Sequence, residues 1–278
     1  MLRWSVNLFR VRGIQLALHG SFFLLLAYVA WEGWQNAALD GGGGGMAGAA
    51  WNLGIAIAFF ACVVLHELGH CFAAMKFGVG VRRILLMPIG GMAEFDQIPR
   101  EPGRELLITV AGPAVNFVLA FGLWFINRDA PEEVPLHSFA SFVEALWVAN
   151  LVMGVFNLIP AFPMDGGRIL RALLALRLPY LRATRWAANL SKVVCAVAVA
   201  ASLGAKQIGA WFGEPIPTLW LPAALFAFIY VAGTIEYRAT QRRERDEAHW
   251  RETLVRLYPD ASPNIPPKIS YNQHSTFP

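Results

Sequence analysis

Charged residues are scarce in this sequence of 278 residues. Asp, Glu, Lys and Arg together make up 15% of it, whereas hydrophobic residues make up 56%. A soluble domain carries about 25% charged and about 45–50% apolar residues. This shortage of charge excludes disorder, a coiled coil or a solvated nucleic-acid-binding module for the bulk of the chain. We therefore expect a membrane protein that contacts the lipid bilayer and binds no nucleic acid.

Cysteine is also rare. The three cysteines, Cys62, Cys71 and Cys195, all lie in apolar stretches and have no paired spacing. This pattern predicts neither a disulfide framework nor a metal site built from cysteine.

Long apolar runs dominate what is present. A helix needs about 20 mostly apolar residues to cross the bilayer core. Six stretches meet this requirement, namely 14–31, 51–75, 105–126, 142–160, 188–204 and 219–237. We therefore predict an all-α polytopic membrane protein with about six transmembrane helices.

Lys and Arg are nearly missing from alternate connections between these spans. The connection 32–50 has none, whereas five fall within 76–104 and another five within 168–185. The positive-inside rule then places both termini, and the second and fourth connections, in the cytoplasm. A prokaryotic plasma membrane fits this pattern best.

Residues 82–99 are too short and too rich in turn residues for another span. We predict a membrane-associated β-hairpin between the second and third spans. In it, Ile84 to Leu86 lead through Pro88 into a turn at Gly90 and Gly91, followed by a strand from Met92 to Phe95.

The second span contains His66, Glu67 and His70, the one ionisable cluster deep within a predicted span. Positions four apart share one face of a helix, so both imidazoles can reach a single ion. Glu67 lies about 100° further round the helix, close enough to contact a water on that ion. A charged residue near the bilayer centre costs about 2.5–3.5 kcal/mol and usually marks function. The pattern indicates zinc chemistry, and the competing interpretation is a structural polar knot.

A catalytic zinc site needs a third protein ligand and an open position. Asp165 is the candidate, because Pro160 and Pro163 end the fourth span on the same side as the two histidines. Non-helical backbone at membrane depth is tolerated only where it is buried in protein or lines a wet cavity. The alternative role of Asp165 is to cap a helix over 166–178.

His66-Glu67-Leu68-Gly69-His70, combined with the segment Asn157 to Gly167, resembles the site-2 protease family of intramembrane zinc metalloproteases. The resemblance extends to Pro88-Ile89-Gly90-Gly91 and to Ala111-Gly112-Pro113 followed by Asn116. It covers roughly residues 10–180.

This resemblance implies hydrolysis of a peptide bond within or beside a transmembrane helix of a membrane-protein substrate. It implies one Zn²⁺ per chain, held by His66, His70 and Asp165, with Glu67 as the general base. Asn157 would hold the scissile carbonyl or its oxyanion. Asn116 is interpreted here as a residue for helix packing.

The better-known family members carry a PDZ-like domain or a pair of CBS domains, and neither is evident here. We therefore expect substrate recognition within the membrane core. Met92, Ala93, Glu94 and Phe95 are predicted to form a strand edge against which an unwound substrate adds a strand.

The predicted domain organisation has three parts. A cytoplasmic segment, 1–13, precedes a six-helix metalloprotease domain, 14–237, whose catalytic core spans about 51–180 and opens toward the cytoplasm. The cytoplasmic tail, 238–278, is predicted as a charged helix from Arg242 to Tyr258 followed by a disordered end.

Three alternatives remain open at this stage. A prenyl-protein metalloprotease also carries His-Glu-x-x-His in a membrane helix, but usually takes Glu as its third ligand. A metal transporter using the same His cluster would need polar residues on several facing spans. A catalytically silent membrane scaffold would retain the motifs without turnover. The sequence names no substrate, no regulatory membrane protein and no oligomeric state.

Overall fold

The computed structural model describes residues 4–39, 45–96, 100–131, 137–207 and 217–257, without the side chains of 36–39. The strands are β1 (Ser5–Val11), β2 (Ile14–His19), β3 (Val81–Met87) and β4 (Gly90–Phe95). The helices are α1 (Gly20–Leu39), α2 (Met46–Lys76), α3 (Pro102–Asn127), α4 (Phe139–Asn157), α5 (Asp165–Ala175), α6 (Tyr180–Leu203) and α7 (Trp220–Leu257).

Five helices within the described ranges are long and apolar enough to cross a membrane: α2, α3, α4, α6 and α7. They coincide with the last five predicted spans, and their boundaries differ from the predicted ones by between one and about twenty residues. The predicted helical, polytopic membrane protein is thereby confirmed. Helix α1 covers the first predicted span only from Gly20 onward and is not among these five.

The described chain packs as two units. One contains the four strands and helices α1 to α5, and the other contains α6, α7 and Ala161–Pro163. Within the second unit, the backbone N–H of Phe162 donates to Oγ of Ser191 at 3.1 Å. A Cβ at Gly233 would lie 3.1 Å from the Phe162 carbonyl oxygen, so this glycine lets α7 pack closely against the backbone of Phe162.

The prediction of a membrane helix is wrong for the N-terminal part of the first span. Residues 14–19 form strand β2, which pairs antiparallel with β1. Arg12 and Gly13 connect the two strands with φ angles of 47° and 90°, the positive pair that a two-residue type I′ hairpin turn requires. The apolar run of β2 continues directly into α1, which is why hydropathy alone merged the strand with the helix.

The four strands form one sheet in the order β1-β2-β3-β4. The β3–β4 hairpin lies where it was predicted, but its turn does not. Met87 pairs with Gly90, so Pro88 and Ile89 make the turn, and the predicted turn glycines already belong to β4. Strand β4 is an edge of the described sheet, and one side of its backbone is therefore left without a neighbouring strand.

The sheet packs against the part of α2 that carries the two histidines. Buried apolar side chains from both elements form one core: Ile14, Leu16, Phe22, Phe60, Val63, Leu68, Cys71, Ile84 and Leu86. Phe22 and Phe60 meet edge to face with ring centroids 4.6 Å apart. Because core side chains pack closely, the sheet fixes the rotation of α2 about its axis.

Helix α7 is longer than a bilayer requires. Its 38 residues span about 57 Å at about 1.5 Å per residue, against a hydrocarbon core of about 30 Å. The charged helix predicted to begin at Arg242 is therefore continuous with the last span through Leu257. Tyr258 and the predicted disordered tail lie outside the described residues.

Candidate metal centre

Three buried ligand atoms converge where α2 meets the first residue of α5. Nε2 of His66 lies 3.1 Å from Nε2 of His70. Oδ2 of Asp165 lies 3.3 Å from the first nitrogen and 3.2 Å from the second. All three residues are at most 8% exposed. The structure thus brings together the predicted ligands, one of them about 95 positions further along the chain than the other two.

Hydrogen bonds on the far side of each ring select its tautomer. Nδ1 of His70 donates to the backbone carbonyl of Ile108 at 2.8 Å, and Nδ1 of His66 donates to Oδ1 of Asn116. In a neutral imidazole only one nitrogen carries a proton, so each Nε2 is left with its lone pair toward Asp165. This is the tautomer that a metal-binding histidine needs.

The convergence of these three acceptors calls for a cation. Two imidazole lone pairs and a carboxylate oxygen repel one another at 3.1–3.3 Å, and Oδ2 of Asp165 has no hydrogen-bond partner. Ligands about 2.0–2.2 Å from a tetrahedral zinc lie about 3.3–3.5 Å from each other. The spacing and the chemistry of the donor set therefore both fit one zinc ion.

The alternative role of Asp165 as a helix cap is not supported. Helix α5 begins at Asp165 itself, and the capping position is occupied by Met164, which makes no side-chain cap hydrogen bond. The carboxylate lies in the first turn, where the helix dipole favours a negative charge. The predicted helix 166–178 is thus observed as Asp165–Ala175.

The partner of His66 is part of a chain of buried amides that the sequence analysis missed. Nδ2 of Asn116 donates to Oδ1 of Asn150 at 3.0 Å, and Nδ2 of Asn150 donates to the Leu146 carbonyl at 2.8 Å. Both asparagines are fully buried. Asn116 was interpreted as a packing residue. The available signal was an amide side chain inside an apolar span, because a buried amide without a hydrogen-bond partner is costly there and therefore requires one.

Gly112 on α3 lies directly against the His70 ring. A Cβ at this position would overlap the imidazole, its nearest neighbour being Nε2. On the opposite side of the interface, a Cβ at Gly69 would lie 2.8 Å from the Ala111 carbonyl oxygen. These two glycines allow α2 and α3 to pack closely at the level of the metal ligands.

Glu67, the predicted base, is half-buried and contacts strand β4. A Cβ at Gly91 would lie 2.6 Å from Cγ of Glu67. Further along β4, Met92 is 40% exposed, and Glu94 forms an ion pair of 2.7 Å with Arg83. The edge strand and the acidic residue beside the ligand cluster therefore lie side by side.

Asn157, the other predicted catalytic residue, is the last residue of α4 and is half-buried. The N–H of Leu158 closes the helix with a bond of 3.2 Å to the Gly154 carbonyl. The predicted fourth span, 142–160, thus ends at Asn157, before the first of the two prolines. The chain then needs only eight further positions to reach Asp165.

The fold and this centre define a class: a multi-pass membrane protein with a His-His-Asp metal site between the apolar helix α2 and the start of the short helix α5. Residues 54–130 and 126–201, more than half of the chain, match peptidase family M50. The chain belongs to this family.

Individual relatives agree with this assignment. A zinc metalloprotease of Methanocaldococcus jannaschii is 40% identical over 69% of this chain and 52% of its own length. Stage IV sporulation protein FB of Bacillus subtilis is 30% identical over 70% of this chain and 61% of its own length. The chain thus spans only about half to three fifths of these two relatives.

A solved structure is also similar. The site-2 protease from Methanocaldococcus jannaschii aligns with a TM-score of 0.54 and 32% identity, covering 84% of this chain and 95% of that structure. The resemblance to site-2 proteases drawn from the sequence motifs is confirmed.

Proposed function

We propose that this protein is a zinc metalloprotease that hydrolyses a peptide bond within or next to a transmembrane helix of a membrane-protein substrate. The observation that carries the proposal is the convergence of Asp165 with His66 and His70, which lie beside Glu67 on the apolar helix α2. The relative with 40% identity bears the name zinc metalloprotease, which supports the same chemistry.

Four side chains have distinct roles in this proposal. His66, His70 and Asp165 hold one Zn²⁺, which when bound supplies Lewis acidity to water and to a carbonyl group. Glu67 accepts the proton of the attacking water and later delivers it to the leaving amine. Its placement one position after His66 supports this role, because the carboxylate then lies near the ligands without being one of them.

Asn157 is proposed to hold the scissile carbonyl or its oxyanion. Its amide can donate a hydrogen bond to the oxygen on which negative charge develops. Its position at the end of α4, eight residues before Asp165, supports a location near the reacting bond.

Strand β4 is proposed to bind the substrate through Met92, Ala93, Glu94 and Phe95. A helical peptide bond has its carbonyl engaged, so the substrate must unwind before attack, and Gly or Pro in the substrate lowers the cost of unwinding. An unwound segment has free backbone groups that an edge strand can pair with. The contact between Gly91 and Glu67 supports a bound strand close to the base.

The proposed topology has both termini and the active site toward the cytoplasm of a plasma membrane. His70 and His66 precede the end of α2 at Lys76 by six and ten residues, about 9 and 15 Å at about 1.5 Å per residue. Water can then enter from the nearby basic side. Residues 14–237 would form the protease domain, with 238–278 as its cytoplasmic tail.

Zinc content and cleavage test the proposal together. Purified wild-type protein, reconstituted in liposomes, should contain about one zinc per chain, and His66→Ala and Asp165→Ala should lose it. Single-span peptides with a Gly-Pro pair at successive depths would serve as substrates, and mass spectrometry would locate the cut. Glu67→Gln should keep the zinc and lose about 10²–10⁴-fold in turnover.

The two alternatives without protease activity give different results in this experiment. Zinc binding without cleavage of any peptide in the series would favour the silent scaffold. Zinc flux across the liposome, absent from His66→Ala, would favour a transporter. Full turnover by Glu67→Gln would contradict its assignment as the base.

A further inference from the structure

A buried ion pair that includes none of the proposed metal ligands joins α5, the helix that begins with Asp165, to α3. Nε of Arg171 donates to Oε1 of Glu105 at 2.8 Å, and Nη2 donates to the same oxygen. Glu105 is 1% exposed and Arg171 is 5% exposed. Neither residue belongs to the sequence motifs described above, although Arg171 is one of the basic residues of the fourth connection.

The location of this pair links it to Asp165. Helix α5 has only 11 residues, which is too short for a helix to be stable in isolation, so its position depends on tertiary contacts. Asp165 is its first residue, and Arg171 follows six residues later. Among the described elements, α3 is the one against which α5 makes its main packing contacts. The Arg171–Glu105 pair is the buried ionic link in that contact.

Helix α3 also orients both histidines. The carbonyl of Ile108, about one turn after Glu105, accepts the hydrogen bond from His70. Asn116, two turns further on, accepts the hydrogen bond from His66. One face of α3 thus contacts all three ligands, two of them directly and the third through the Glu105–Arg171 pair.

We propose that Glu105 and Arg171 are a positioning pair that sets the distance of Asp165 from the two histidine nitrogens. The inference rests on the proposed metal site. An arginine fork engaging one carboxylate oxygen through two N–H groups fixes both distance and direction. It thereby fixes where α5 begins relative to α3, and so where the Asp165 carboxylate lies.

A stabilising role alone must be separated from this positioning role. Replacing both members of a buried ion pair by packed apolar residues is often neutral or stabilising, whereas removing one member leaves a buried unpaired charge. The double variant Glu105→Leu/Arg171→Met should therefore keep the thermal unfolding midpoint of the zinc-free protein within a few degrees of wild type. The double variant would nevertheless lose the hydrogen bonds by which the guanidinium fixes the position of α5 relative to α3.

The measured quantity is the zinc dissociation constant, obtained by chelator competition on full-length protein in detergent. We expect the double variant to bind zinc at least about tenfold more weakly, as for other residues that orient metal ligands. Arg171→Lys keeps the positive charge but not the two parallel N–H donors of the guanidinium. It should remain folded and bind zinc about tenfold more weakly than wild type. Arg177→Met removes an exposed arginine just after α5 and should bind zinc like wild type.

The outcomes separate this inference from the proposed function. Wild-type zinc affinity in the double variant would overturn the positioning role and leave the protease proposal intact. If the double variant does not fold, wild-type affinity in Arg171→Lys overturns it instead. Absence of zinc from the wild-type protein would overturn the metal site itself.

Discussion

His66 and Asn116 are joined inside the apolar helices through Nδ1 and Oδ1, although 50 residues separate them in the chain. The bond does more than satisfy two polar groups. It commits the only ring proton of the imidazole to the amide, and it leaves Nε2 as an acceptor toward Asp165. An amide in α3 thereby decides which nitrogen of a histidine in α2 can bind a metal.

Removing this amide should weaken zinc binding. Asn116→Ala leaves the ring of His66 without an acceptor for Nδ1–H, so the tautomer and the orientation of the ring are no longer selected. Comparable changes around metal sites cost about 10–100-fold in affinity. Zinc competition measurements would test this, with Asn116→Asp as the variant that retains an acceptor and should bind more tightly than the alanine variant. Equal affinities of wild type and Asn116→Ala would refute the role.

A methyl group at Gly112 should disturb the site directly. Gly112→Ala places Cβ where the His70 imidazole lies, so either the ring or α3 must move. Overpacking of this kind costs about 1–3 kcal/mol in stability, and we expect most of the bound zinc to be lost. Gly122→Ala is the matched control, because it lies on the same helix and its Cβ would meet nothing within 4 Å. Normal zinc content in Gly112→Ala would show that the close approach is unimportant.

Gly91→Ala should separate catalysis from metal binding. The new methyl group would lie 2.6 Å from Cγ of Glu67, and its three nearest neighbours are all atoms of Glu67, so it would displace the proposed base first. We expect normal zinc content with turnover reduced about tenfold or more, since small misplacements of catalytic groups are costly. Gly54→Ala on α2, which has open space around it, serves as the control. Loss of zinc and activity together would instead indicate that β4 supports the whole centre.

Proline in β4 should block strand addition. Met92→Pro and Ala93→Pro each remove one backbone N–H, and successive N–H groups of a strand point to opposite sides. One of the two variants therefore loses a donor on the open edge, and it should retain zinc but cleave peptides poorly. Met92→Ala is the control, because it shortens the side chain and keeps the N–H group. Unchanged cleavage by both proline variants would eliminate the proposed strand pairing.

Much of this protein follows from local properties of its sequence. Apolar runs of about 20 residues identify membrane helices, and five of them are found as helices of sufficient length. The four-residue spacing of His66 and His70 places them on one helix face wherever the helix lies. Asp165 was also predicted from its local sequence, because Pro160 and Pro163, which prevent the fourth span from continuing as a helix, lie just before this carboxylate.

Other features depend on tertiary structure because their partners are distant in the chain. The Asn116–Asn150 contact joins residues 34 positions apart, and the Glu105–Arg171 contact joins residues 66 positions apart. Hydropathy and spacing describe one segment at a time, so they cannot tell which buried polar group will meet which partner. Strand β2 was mistaken for helix for a related reason, since its apolar side chains become a strand only by pairing with β1 and β3.

Hydropathy and the spacing of His66 and His70 along one helix were therefore enough to predict the membrane class, the two histidine ligands and the candidate base, while Asp165 was predicted from a different segment of the chain. Tertiary structure alone decided how the ligands are oriented. Groups on other elements set which nitrogen of each imidazole carries the proton and where Asp165 lies, and another element supplies the strand beside Glu67. These groups become neighbours only when the helices and the sheet pack together.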